Sequence, residues 1–403
     1  MELFINCILL FWGGILCFFV TYQFIFFVLS VPALFLGKKA GEELTTCNTF
    51  GIIIPAHNEE LLIGDLVKSI RKSDYPAELY EIFVVADNCT DRTAQIAREA
   101  GATCRERSDP IKQGKPYALN WLISQLNLDA FDAYVIIDAD TLVARNFLSS
   151  MNISLTEGKK VIQGYFGVMN PDENWLTRLS ILPGILKYKL HFPGKNLLGL
   201  SCPLAGNGMC FSSEIFKKYG WNAYSIVENW EYYVMLTLEG YVVVSNENAV
   251  IYSQVAKSLK TGENQRIRWS KGRLQVLLHY FGRLAAGGFR SGDLNKFDAL
   301  VELMRPSYAI FFGWSVIYLL LCLFLHFSYA YSSFFVWMAV VVFAVQLLYF
   351  FSGLIIQRAP LKTWLALGMI PFYILWKMAI TLKGLLSYGE RKWVKTERHK
   401  STK

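Results

Sequence analysis

Residues 134–140 read Tyr-Val-Ile-Ile-Asp-Ala-Asp, an apolar, β-branched run that stops on two carboxylates at alternate positions. A run of this kind fits a strand buried on both faces of a sheet. Its carboxylates then fall beyond the carboxyl end, where ligands sit in an open α/β sheet, so at least one of Asp138 and Asp140 faces such a site. Carboxylate oxygens are natural ligands for Mg²⁺ or Mn²⁺, and an ion of that class can bridge protein to a diphosphate. An Asp-x-Asp triplet also arises from turn chemistry, so its surroundings must decide.

Outward from this element, residues 50–55, 82–87 and 102–106 form further short apolar or β-branched runs, separated by helix-length gaps. Residues 48–255 therefore read as one alternating α/β domain. The first run ends in Pro55, Ala56, His57, Asn58, Glu59 and Glu60, where a helix cap is the plainer explanation. The second ends in Asp87, followed by Asn88, Cys89, Thr90 and Asp91; Asp91 suits a cap, while Asp87 can accept from a base N–H or a ribose hydroxyl. Two such turns side by side make a pocket. Gly114 and Lys115 open another helix with a cation in its first turn, against the macrodipole, a conflict that a bound phosphate would relieve. Farther on, Gly206, Asn207 and Gly208 precede a helical segment in which Glu228 and Glu231 share a face beside Asn229. Gln265, Arg266, Arg268 and Trp269 combine guanidinium groups that grip a diphosphate with an indole on which a sugar ring can rest.

The chain is 403 residues long, 53% hydrophobic and 15% aromatic, more apolar than one soluble domain requires. Residues 3–37 carry no charge and exceed the length that spans a bilayer, without the basic start or cleavage site of a signal peptide. Lys38 and Lys39 follow, which places the amino terminus outside and the next domain in the cytoplasm. Residues 306–357 hold two further spans; 363–376 is shorter and is followed by Lys377 and Lys383, as in an interfacial, re-entrant or third spanning piece. This gives a multi-pass protein of the inner (plasma) membrane, with residues 1–37 as anchor, 256–300 as amphipathic interface helices, 306–385 as the membrane region and 386–403 as a basic cytoplasmic tail. The net charge of +8 gathers beside the hydrophobic segments, which points to a lipid bilayer and sugar diphosphates and excludes nucleic acid. The eight scattered cysteines show no metal-binding or redox spacing and suit a reducing compartment.

Taken in order, PAHNEE (55–60), Asp87, GKPYALN (114–120), DAD (138–140), GNG (206–208), ENWE (228–231) and QRIRW (265–269) resemble the motifs of membrane-bound family 2 glycosyltransferases, over residues 50–270. With membrane segments on both sides, the pattern is similar to the processive synthases of hyaluronan, cellulose, chitin and poly-N-acetylglucosamine. The resemblance implies an α/β GT-A (nucleotide-diphospho-sugar transferase) domain inserted between transmembrane helices, with amphipathic interface helices. It implies a nucleotide-sugar donor, usually a UDP-sugar, held by Pro55, Ala56, Glu59, Asp87, Lys115, Asp138, Gln265, Arg266, Arg268 and Trp269. Asp140, with Asp138, would hold Mg²⁺ or Mn²⁺. Gly206, Asn207, Gly208 and Trp269 would border the acceptor.

One departure stands out. The family has Glu-Asp where this chain has Glu228-Asn229, and that Asp is the general base of an inverting transfer. Asn cannot take the proton from an acceptor hydroxyl. Asn229 is then an introduced Asp-to-Asn change, a natural variant in which Glu228 or Glu231 is the base, or the mark of an inactive nucleotide- or glycan-binding homologue. The expected activity is transfer of a hexose or N-acetylhexosamine to a growing cell-surface polysaccharide, with single-sugar transfer to a membrane lipid as the alternative. The few hydrophobic segments leave room for a membrane partner protein in export.

Overall fold

A computed structural model describes residues 2–35 and 46–386; Lys38, Lys39 and residues 387–403 of the expected tail lie outside the described residues. The strands are β1 (Phe50–Ala56), β2 (Tyr80–Asp87), β3 (Thr103–Arg107), β4 (Ala133–Ile136), β5 (Thr141–Val143), β6 (Val161–Val168), β7 (Met209–Ser212) and β8 (Val243–Ser253). They form one eight-stranded sheet in the order β3-β2-β1-β4-β7-β6-β8-β5. The first four strands are mutually parallel, whereas β7 runs antiparallel to β4 and β6. The register aligns Ala56 with Ala86 and Asp87 with Arg107, so the carboxyl ends of β1, β2 and β3 meet at one edge. Crossover helices on both faces bury the central strands twice over. Alternate residues feed different layers: Ile53, Val85, Tyr134 and Ile136 join Trp221 and Tyr232 on one side. Ile52, Ile54, Val84 and Val135 join Ile63 and Leu66 on the other. Each such side chain contributes about 1.5–3 kcal/mol, which is why these strands read as unbroken apolar runs.

Among the described residues, four helices are long and apolar enough to cross a membrane: Glu2–Ala33, Tyr308–Tyr329, Ser333–Ile356 and Leu361–Leu386. The last one is interrupted by a 3₁₀ turn at Leu367–Met369, and its second part packs both on the long helix Leu259–Ser291 and on Tyr308–Tyr329. Its start packs on the helix Trp175–Leu179, with Phe372 edge-on to Trp175 at 6.2 Å. Farther along, Arg266 lies 5.1 Å over the ring of Trp376, and Lys383 pairs with Glu263 at 2.7 Å. Arg266 and Glu263 belong to the long helix Leu259–Ser291, whose stretch of basic residues reads in the sequence as a headgroup surface. In the structure that helix forms part of a wall: Lys271 is buried and Arg273 half-buried.

A buried charge cluster locks the amino-terminal helix to the domain. Lys195 Nζ lies 2.7 Å from Asp298 and 3.1 Å from Glu302, His191 Nε2 lies 2.7 Å from Glu302, and Arg305 approaches Glu302 at 3.1 Å. The Tyr22 hydroxyl, from the first helix, donates to Asp298 at 2.7 Å. Close by, the Gly194 amide donates to Ser30 Oγ at 2.8 Å, and a Cβ at Gly194 would collide with the carbonyl of Phe26. The glycine is what lets the short helix Phe192–Leu197 touch the amino-terminal helix.

Burial, reinforced by the charge of Arg305, pushes the His191 imidazole down to about 3, so it is neutral in the folded chain. A histidine depressed in this way stabilises the fold fully above its unfolded value of about 6.5, and that contribution is lost as pH falls toward the folded value. Stability should therefore drop by up to about 1.4 kcal/mol per pH unit below pH ~6.5, on the order of one proton. Denaturant titrations of the detergent-solubilised chain at several pH values check this; His191→Gln should flatten the slope, and an unchanged slope would assign it to other groups.

Candidate functional site

Each strand end contributes a turn built to expose polar groups. Asn58 and Asn88, just past β1 and β2, both take left-handed backbone (φ 53° and 51°), which Asn tolerates better than most residues. The Asn58 side chain accepts from the Thr90 amide at 2.8 Å, which ties the two turns together. His57 Nδ1 lies 2.8 Å from the Asp87 carbonyl. Asp87 itself is 4% exposed and receives Arg107 Nη1 at 2.5 Å and the Gly114 amide at 3.4 Å. Arg107 then reaches Asp109 at 2.9 Å and the Lys112 carbonyl at 2.8 Å, which fixes the loop that leads to Lys115.

Lys115 answers its conflict with the helix dipole differently from the expected phosphate. Its Nζ donates to Asp138 Oδ1 at 2.6 Å and to the Gly206 carbonyl at 2.5 Å, with Glu228 at 3.7 Å. Burial acts to lower its pKa, but Asp138, Glu228 and Asp140 outweigh it and hold the ammonium above its ordinary value. One cation thus gathers the turn after β4, the Gly206 turn and the helix Glu228–Leu238. Gly206 has φ 88°, a backbone that L side chains rarely adopt, so glycine is required there.

The expected acceptor border divides in two. Gly206 and Asn207 line the cavity, Asn207 while only 2% exposed, whereas Gly208 packs under Ile251. The Asn207 Oδ1 accepts the Asp138 amide at 3.0 Å, while its Nδ2 donates to Thr141 at 2.8 Å and Ser253 at 3.1 Å. It braces the Asp-Ala-Asp turn from beneath. Glu228 and Glu231 also part company. Glu228 faces Lys115, but Glu231 accepts the Ser225 amide at 2.7 Å and the Tyr280 hydroxyl at 3.3 Å, outside the cavity lining. Asn229 lines the cavity and donates to the Leu204 carbonyl at 2.6 Å.

A cavity of ≈ 1700 Å³ joins these parts. One end is walled by Pro55, Ala56, Glu59, Asp87, Lys115 and Asp140, and Asp138 sits with them; Gln265, Arg266, Arg268 and the half-exposed Trp269 border it from the long helix. The other end runs between apolar side chains of the long apolar helices, including Phe312, Trp314, Phe350, Phe351, Ile370 and Ile374. Arg107 is not singled out by the sequence, where His57 stands only as part of a turn and Arg273 only as part of a basic helix. Arg107 still left a signal there: a basic residue one place past the expected end of β3, beside Asp87.

The sequence profile described as "Glycosyltransferase like family 2" matches residues 48–272. The chain is a family 2 glycosyltransferase. It has the GT-A fold: over 95% of this chain and 100% of the other, it superposes on a mannosyltransferase of Pyrobaculum calidifontis solved with GDP-Man and Mn²⁺, with a TM-score of 0.54 at 17% identity. The Bacillus subtilis protein named "Probable glycosyltransferase YdaM" is 24% identical over 91% of this chain and 90% of its own length. The beta-monoglucosyldiacylglycerol synthase of Nostoc sp. is 26% identical over 63% of this chain and 54% of its own length. The poly-beta-1,6-N-acetyl-D-glucosamine synthase of Staphylococcus aureus is 24% identical over 61% and 60%. The chain spans little more than half of these two synthases.

Among the described residues, no three His, Cys, Asp or Glu side chains converge as a metal cage. Asp138 and Asp140 on one turn still fit a hard divalent ion of the Mg²⁺ type, which takes one or two protein carboxylates and completes its shell with phosphate oxygens and water.

Asp87 and Arg107 form the most enclosed ion pair of the strand-end cluster, each side chain about 5% exposed, at 5% and 6%. Arg107→Gln should lower stability by about 3–5 kcal/mol, because it strands a buried carboxylate. Asp87→Asn in the same chain should recover part of that loss. Denaturant unfolding of both variants checks this, and additive losses would mean that the two side chains are not coupled.

Proposed function

We propose that this family 2 glycosyltransferase moves a sugar, with inversion, from a UDP-sugar to a lipid acceptor in the cytoplasmic leaflet of a bacterial membrane. The carrying observation is the continuity of the cavity: one end is polar, at the strand termini, and the other is walled by apolar helix side chains. A sugar diphosphate suits the first and a lipid tail the second. Pro55, Ala56, Glu59 and Asp87 would hold the nucleotide, and Lys115 would shape the phosphate end through its carboxylate partners. Asp140, with Asp138, would hold Mg²⁺ or Mn²⁺, which when bound neutralises charge on the departing diphosphate. The apolar segments support a plasma-membrane location, and the break at Leu367–Met369 with the Lys383–Glu263 pair is consistent with an interfacial piece at Leu361–Leu386.

A growing polysaccharide is the second reading. It draws on Gln265, Arg268 and Trp269, which line the cavity and match the motif of processive synthases. Against it, the apolar end of the cavity offers an acyl chain more than it offers a hydrated glycan.

Purified chain is incubated with a panel of UDP-sugars, Mn²⁺ or Mg²⁺ and a total bacterial lipid extract, and the product is extracted and sized. A single organic-extractable glycolipid is expected; a ladder of polymer would overturn the lipid reading, and no turnover with any donor would support a binding homologue. Chelation of the metal should abolish transfer. Asp140→Asn should slow it about 100-fold or more, since metal charge stabilisation is worth several kcal/mol in the transition state. A variant as fast as the parent would remove Asp140 from the metal.

A further inference from the structure

Five carboxylates line the cavity: Glu59, Asp87, Asp138, Asp140 and Glu228. Asp87 is tied to Arg107 and the Gly114 amide, and Asp138 accepts from Lys115 at 2.6 Å. Asp140 shares its turn with Asp138. Glu59 stands in the turn after β1, where its amide donates to Thr93 Oγ1 at 2.8 Å. Glu228 differs from the other four. It opens the helix Glu228–Leu238, its side chain is only 14% exposed, and among the described residues its carboxylate accepts no hydrogen bond. Lys115 Nζ, at 3.7 Å, lies beyond hydrogen-bond reach, yet the same ammonium grips Asp138, so it draws the Glu228 carboxylate toward the Asp-Ala-Asp turn.

The next residue is held in the opposite manner. Asn229 Nδ2 donates to the Leu204 carbonyl at 2.6 Å, two residues before Gly206. A carbonyl oxygen can only accept, so this contact requires a donor. An aspartate at 229 would set a carboxylate oxygen against that carbonyl and leave it without its partner. The amide thus clamps the first turn of the helix to the segment that enters the glycine turn, whose Gly206 carbonyl takes Lys115 at 2.5 Å.

We propose that Glu228 is the catalytic base of the transfer, and that Asn229 is a positioning residue that anchors the helix turn presenting it. This rests on the inverting lipid transfer proposed above and specifies a hydroxyl as the group that reacts. With a sugar diphosphate on the Asp-Ala-Asp turn, the anomeric carbon is one bond from phosphate, and Glu228 flanks it with uncommitted lone pairs. In the step, the acceptor hydroxyl oxygen forms the bond to the anomeric carbon and its proton passes to a Glu228 carboxylate oxygen. The bond from that carbon to the diphosphate breaks, and its electron pair leaves with the nucleoside diphosphate. The base then sits one residue before the place that the family motif gives it, and Asn229 is a working part of the site.

The test uses the detergent-purified full chain with the active UDP-sugar, Mn²⁺ and the bacterial lipid extract. Glu228→Gln should lower kcat about 100-fold or more, while calorimetric affinity for UDP with Mn²⁺ holds and shows the fold intact. Its residual rate should climb about tenfold per pH unit between pH ~6 and ~9, as hydroxide replaces the missing base, whereas the parent levels off. A loss of equal size at every pH, or no loss, would overturn the assignment. Asn229→Asp should slow transfer about tenfold, and in the Glu228→Gln background it should cost nothing further. A gain of about 100-fold from Asn229→Asp would instead make position 229 the base. Equal losses in both backgrounds would show that Asn229 does not act through Glu228. A product of retained anomeric configuration would sink the base together with the inversion. A polymer ladder would sink the lipid reading alone, because a sugar hydroxyl needs the same base.

Discussion

Lys115 carries a positive charge into a place that opposes it twice, by burial and by the amino-terminal end of its own helix, and the site is organised around the remedy. Asp138, Glu228 and the Gly206 carbonyl converge on one ammonium. They come from three segments far apart in the chain, so the contact fixes the turn after β4, the glycine turn and the ENWE helix against one another. Asn207 and the Asp87–Arg107 pair brace the same region from below and from the side. The polar end of the cavity is a lattice of mutually held charges, arranged before any ligand arrives.

The fold was legible because its signal is local. Strands buried on both faces must be apolar throughout, and the polar residues that stop them mark the edge where ligands bind. β1, β2 and β4 showed this clearly. β3 showed it poorly, since Thr103–Arg107 is half exposed and mixes charges with its apolar positions, and Arg107 was lost with its last residue. The partners of Lys115 were illegible for a different reason. A cation in a first turn signals a missing anion, but nothing nearby in sequence says whether a ligand or a distant carboxylate supplies it. Glu228 and Glu231 share a helix face, yet the Ser225 amide draws one away, a choice made by the backbone before the helix.

The membrane arm of the cavity was legible only in its ingredients. The sequence held basic residues in 257–290 and an apolar piece broken by Lys377, and each alone suggested contact with lipid headgroups. The structure crosses the two helices, with Lys383 on Glu263 and Gly384 tight against Ile267, and this turns the basic face inward. Cations that would have met water or headgroups instead border an enclosed, largely apolar space.

The close seat of Gly194 on Phe26, with Tyr22 closing over the carboxylates of Asp298 and Glu302, makes the amino-terminal helix more than a tether. A generic anchor can be exchanged for any other apolar helix of equal length. This one supplies a hydroxyl, a serine oxygen and a backbone groove that the sheet domain is shaped to receive, so anchor and domain have to evolve in step. A domain severed from it would carry an open seam of ionised side chains.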